Sequence, residues 1–137
     1  MLFVEEVNVP AGTEENNPVV KEIELKPGVL TKIQVLFPFG CNAMVKVRVL
    51  YGEKIIIPAN PEKWLVGNGE TVNITMALEH YDEPFRIKVI ACSPGTSYDH
   101  TIYIRAEVLP EELAFPERRL AKILSEIAKK LVVRPLE

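Results

Sequence analysis

The sequence predicts an all-β fold: an eight-stranded antiparallel β-sandwich, jelly-roll-like, followed by a C-terminal amphipathic α-helix. Three observations carry this. Between Leu2 and Leu109, apolar and polar residues alternate in short runs, the pattern of half-buried strands. Turn formers separate the runs and no helical pattern intervenes, so the connections are too short for parallel crossovers. After Pro110 the apolar period changes from two to that of a helix. A closed barrel is the competing architecture.

The strands follow in order. Leu2, Val4, Val7 and Val9 mark the first, with a shift of register expected between Val4 and Val7. The stretch from Pro10 to Pro18 is polar and rich in turn formers, hence a loop. Val20, Ile23 and Leu25 mark the second strand, and Lys26-Pro27-Gly28 is a tight turn. Val29, Thr31, Ile33, Val35 and Phe37 alternate with Leu30, Lys32, Gln34 and Leu36 in the third. Pro38-Phe39-Gly40 breaks it. Ala43, Val45, Val47 and Val49 make the fourth strand, and Tyr51-Gly52-Glu53 turns into Ile55-Ile56-Ile57, the fifth. A long loop from Pro58 to Gly69 carries the only tryptophan, Trp64. Val72 to Leu78, Phe85 to Ala91 and Ile102 to Val108 complete the eight.

If each strand reverses the one before it, the connections sort by end. The long loops at 10–18, 38–42, 58–69 and 93–99 share one end. The tight turns at 26–28, 50–53 and 79–84 share the other, from which the helix departs.

The helix is expected from about Pro116 to Val132. Leu120, Ile123, Leu124, Ile127, Ala128 and Leu131 fall on one face. Pro116 suits the first turn, where a missing N–H is no loss. Glu117 near the N-terminus and Lys129 and Lys130 near the C-terminus match the helix dipole. Three apolar turns need a partner. Packing on the chain's own sandwich and packing on a neighbouring subunit are both open.

Two segments are expected: a sandwich domain at 1–109, and a linker with the helix at 110–137. At 137 residues and 47% hydrophobic content, the chain has enough apolar material for a core. Residues 116–137 hold six basic and three acidic residues, a net of +3; with −3 overall, the rest carries −6. An acidic body gives no electrostatic case for nucleic acid. No apolar run approaches the ~20 residues of a membrane span, so no membrane partner is expected. Glu5 and Glu6 interrupt the apolar start, which argues against a signal peptide. Glu and Lys dominate the charged residues and Gln occurs once, a lean toward thermophile composition that undepleted Asn opposes.

No catalytic constellation is visible, and neither a metal site nor a cofactor is expected. His80 and His100, the only histidines, fall at opposite ends. Ser97, Asp99 and His100 are too close along one loop for a nucleophilic relay. Gly67-Asn68-Gly69 lacks the spacing of a phosphate loop. Asn73-Ile74-Thr75 matches the glycosylation sequon but sits mid-strand. Cys41 and Cys92 fall at the long-loop end. A disulfide there would close a loop of about 50 residues, worth roughly 4 kcal/mol in the chain-entropy model. Two separate buried thiols are the other reading. Trp64 and Tyr98, with His100, are candidate ligand contacts at that end, for sugars or for protein. The alternative for Trp64 is that it plugs the core beneath its own loop.

A composite of turn motifs runs through the sandwich in order. It comprises Pro10-Ala11-Gly12-Thr13 with Asn17-Pro18, Pro27-Gly28-Val29-Leu30-Thr31-Lys32, Phe37-Pro38-Phe39-Gly40-Cys41, Pro58-Ala59-Asn60 with Trp64, and Tyr98-Asp99-His100-Thr101. It resembles small, mostly uncharacterised β-sandwich proteins encoded by tailed phages and related viruses. The resemblance covers residues 2–109, not the helix. It implies a structural role in a virion (capsid decoration, neck or tail), with no catalytic residues to carry over. The functional expectation is therefore a non-enzymatic interaction protein, virion-borne or cytoplasmic. It would form a homo-oligomer through Leu120, Ile123, Leu124, Ile127 and Leu131 and contact other assembly proteins. A carbohydrate- or ligand-binding module is the alternative.

Overall fold

The computed structural model describes residues 1–133; Arg134 and Glu137, counted above in the terminal charge, lie outside the described residues. Among the described residues, nine strands form: β1 (Leu2–Val9), β2 (Val19–Leu25), β3 (Gly28–Phe37), β4 (Lys46–Tyr51), β5 (Lys54–Ile57), β6 (Leu65–Val66), β7 (Glu70–His80), β8 (Phe85–Cys92) and β9 (His100–Leu109). Two helices follow, α1 (Glu111–Ala114) and α2 (Pro116–Val133). The strand beyond the expected eight is β6, a two-residue piece of the long loop paired to the start of β4.

The fold is a two-sheet antiparallel sandwich. One sheet has the order β1-β9-β3-β7 and the other β2-β8-β4-β5, with β6 beside β4. First-half strands pair with second-half strands in reverse order: β1 with β9, β2 with β8, β3 with β7, β4 with β5. This nesting around the Gly52 turn, with strands alternating between sheets, is jelly-roll order. A single closed barrel does not form.

The core lies between the sheets. Val35 and Phe37 of β3, Ile102 and Ile104 of β9, Val47 and Val49 of β4, and Phe85 and Val89 of β8 are fully buried. Opposite faces of the same strands carry Gln34, Arg48, Arg86 and Arg105. Two local expectations change. Alternation in β3 is not continuous: the register slips between Leu30 and Lys32 against both neighbours, so Leu30 and Ile33 both reach the core. The Thr31 hydroxyl, at the bulge, donates to the Glu107 carboxylate at 2.9 Å. In β1, by contrast, the expected shift is absent, and pairing with β9 runs unbroken from Leu2 to Val9. Phe3 and Glu5 occupy the inward row instead, and Val4 faces out. A carboxylate is tolerated there because β1 lies at a sheet edge, where Glu5 pairs across to Lys21 of β2 at 3.6 Å.

Gly28 opens β3 where its backbone closely approaches β9. Its φ is +153°, and a Cβ there would stand 2.8 Å from the Leu109 carbonyl oxygen and 2.9 Å from Val108 Cγ1. We expect Gly28→Ala to lower unfolding free energy by roughly 1–3 kcal/mol, the usual cost of such backbone strain. Urea denaturation measures it, and an unchanged midpoint contradicts this role.

Candidate functional site

The two ends of the sandwich differ as their connections suggest. At the long-loop end, backbone and short polar side chains stitch four loops together. Ala11 N–H donates to the Asp99 carboxylate at 2.8 Å and Ser93 N–H to the Thr13 carbonyl at 2.9 Å. Gly40 N–H donates to Asn68 Oδ1 at 2.9 Å, and Gly69 N–H to the Pro38 carbonyl at 3.2 Å. These bonds satisfy backbone groups that would otherwise be left without partners where the strands end.

His100 is buried in this network. Its Nε2 lies 3.2 Å from the Gly40 carbonyl. A carbonyl only accepts, so Nε2 carries the proton in this bond. Nδ1 is buried and has no hydrogen-bond partner among the described residues. Asp99 is engaged with Ala11, and His100 with Gly40, so Ser97, Asp99 and His100 are not arranged as a relay. His80 sits at the far end, where its Nδ1 meets Tyr51 Oη at 2.5 Å and its ring stacks on Phe85 at 4.8 Å between centroids. Among the described residues, no group of three or more His, Cys, Asp or Glu is placed to hold a metal.

Tyr98 and His100 share one open cleft of 550 Å³, joined by Phe39, Asn42 and Tyr103. Phe39 is 86% exposed and Tyr98 77%. Phe39 and Tyr103 escaped the sequence reading. Phe39 reads as part of a Pro-Phe-Gly turn, and Tyr103 lies within the last strand, on the row opposite Ile102 and Ile104. Their shared signal is an aromatic on each strand at the same end of the β3–β9 pair, where Tyr103 stands opposite Leu36 and Phe39 follows the last residue of β3.

Trp64 does not join them. It lines a separate cleft with Glu15, Lys46, Arg48 and Lys63. The Arg48 guanidinium lies 3.9 Å from the Trp64 ring centroid and donates to the carbonyls of Pro61 and Lys63 at 2.8 and 3.1 Å. The outward parity of Arg48 on β4 draws the loop and its indole across the outer face of the sheet. Trp64 thus neither pairs with Tyr98 nor plugs the core. Beside it, the Lys46 ammonium meets Glu15 at 2.7 Å; their hydrogen bond holds the Glu15 carboxyl below, and the Lys46 amine above, its ordinary value.

Cys41 and Cys92 are free, buried thiols: of the two readings, the separate thiols hold and the possible bridge is not formed. Strand alternation supplies the reason. Cys41 belongs to the core between the sheets. Cys92 has the outward parity of Arg86, Lys88 and Ile90 on β8, opposite Lys46 of β4. Burial pushes both thiols above their ordinary pKa.

The opposite end launches the helices. Arg118, in the first turn of α2, meets the Glu79 carboxylate of β7 and lies 3.5 Å from that of Glu111 in α1. Its guanidinium covers the Phe115 ring at 3.8 Å. The hydrogen bond from Arg118 lowers the Glu79 pKa. A cation in the first turn opposes the helix dipole. That mismatch was the available sign that Arg118 needs carboxylate neighbours from outside its helix.

Beyond this root, α2 leaves the sandwich. Leu120, Ile123, Leu124, Ile127 and Leu131 are 45–65% exposed. The reading in which the helix packs on its own body is therefore corrected: the Arg118 contacts hold the root beside β7 and α1, while the stripe stays substantially exposed. No described helix is long and apolar enough to cross a membrane.

Fold and sites together define a two-sheet β-sandwich with a helical projection. No protein-family model and no curated protein matches the chain. A solved crystal structure of FLHE is similar to it at 11% identity, covering 77% of this chain and 94% of that one with a TM-score of 0.39. A likeness of that size carries no functional argument.

The thiol assignment has a direct check. Without reductant, an alkylating reagent should add slowly or not at all to the native protein and twice after denaturation, counted by intact mass. No addition after denaturation would establish the disulfide.

Proposed function

We propose that this is a non-enzymatic assembly protein, whose sandwich is a rigid platform and whose α2 joins it to further copies of the same chain. The supporting observation is the α2 stripe: five large aliphatic side chains in one row, all substantially exposed. Burying such side chains stabilises a contact by roughly 1.5–3 kcal/mol each. A stripe of this size on an ordered helix is what an interaction surface requires. Jelly rolls recur in capsid and lectin domains, but fold alone does not carry function. A virion setting rests on the resemblance of the turn motifs, so the proposal names the assembly and leaves the particle to experiment.

Removing residues 116–137 should leave a cooperatively folding sandwich whose native mass falls to that of a single chain. Multi-angle light scattering reads the mass, and an assembly unaffected by truncation sinks the proposal.

The aromatic cleft favours a second reading, a carbohydrate-binding module. Exposed Phe39 and Tyr98 offer ring faces, and Asn42 and Asp99 line the same cleft. On a glycan array this reading predicts binding that Tyr98→Ala abolishes and Trp64→Ala spares. Silence of the unmodified protein across the array removes it.

A further inference from the structure

We infer that the partner of α2 is α2 itself, and that three or more copies pack their stripes around a common axis. This rests on the assembly reading above and deepens it by naming the contact. The residues fall into a heptad register. Leu124 and Leu131 take position a, and Leu120 and Ile127 take position d, with the alternating three- and four-residue spacing of a helix that packs on its like.

The width of the stripe sets the number of copies. A two-helix seam buries positions a and d and leaves the flanks wet. Here the flanks are largely apolar. Ile123 occupies the first g and Ala121 and Ala128 occupy e, while Lys130, at the second g, is long enough to carry its ammonium out to solvent. Ile123 is 45% exposed, so in a pair a branched aliphatic residue would remain largely in water. Three or more helices enclose the g and e positions as well, and small alanines on one flank leave room for the isoleucine on the other. Leucine at a with isoleucine at d, as at Leu124 and Ile127, also shifts the preference above two strands. Lys122 and Lys129 both take position f, the outermost, so of the three lysines on α2 only Lys130, at g, borders the seam.

Geometry leaves the helices free to meet. The apolar row begins at Leu120, just past the Arg118 contacts with Glu79 and Glu111. The first turn is thus tied to its own body, and the row stands clear of it. From Leu120 to the end of α2 at Val133, a rise of about 1.5 Å per residue gives a free reach of roughly 21 Å, enough for neighbouring helices to meet over about two heptads.

Native mass spectrometry of the full chain and three variants tests this. The unmodified chain should show three or more copies. Ile123→Lys should reduce the copy number, and Lys122→Glu should leave it unchanged. Leu124→Cys, mildly oxidised, should give a cross-link between two residues 124. A mass of two copies indifferent to Ile123→Lys overturns the bundle, as does a helix-dependent assembly without the cross-link. Both results leave the assembly reading standing. A chain single at every concentration overturns both.

Discussion

Strand alternation is the constraint on which the molecule depends. Each strand has two rows of side chains, and only one row fits between the sheets. Valine, isoleucine and phenylalanine fill the inner rows so fully that Val35, Phe37, Ile104 and Val89 show no exposed surface. Whatever does not fit must face outward or leave. The same rule places Arg48 outside, where it gathers Trp64. It also puts Cys92 on the other side of its sheet from the core that holds Cys41.

The helix follows from the same constraint. The sandwich closes its core from strand residues with Cys41 and Val45 of the β3–β4 loop, so α2 has no inner surface to complete. Its root is instead held by charge. Arg118 converts a helix-dipole mismatch into contacts with Glu79 and Glu111, and places its guanidinium over Phe115. These contacts are exposed and individually weak. They set where the helix begins rather than how stable the sandwich is. The apolar row beyond them is surplus to the chain's own folding, which makes its exposure informative.

Much of the architecture was legible because periodicity is local. The strand runs, the helix span and the sorting of loops by end all depend on neighbours in sequence. What stayed hidden depends on three dimensions. The bulge at Thr31 looks like continuous alternation until pairing with β7 and β9 is known. The edge position that tolerates Glu5 is invisible without sheet order. Trp64 and Tyr98 share an end of the chain's path but different faces of the fold, so counting strands grouped them and the structure separates them. Phe39 and Tyr103 lie far apart in sequence and meet only because β3 and β9 pair.

The central claim is that the α2 stripe is exposed in the single chain and covered on assembly. Amide hydrogen exchange across a concentration series tests it most directly. Protection over residues 116–133 should rise with concentration while that of β3, β8 and β9 stays constant. Protection of α2 that is high and independent of concentration down to the single chain would contradict the account.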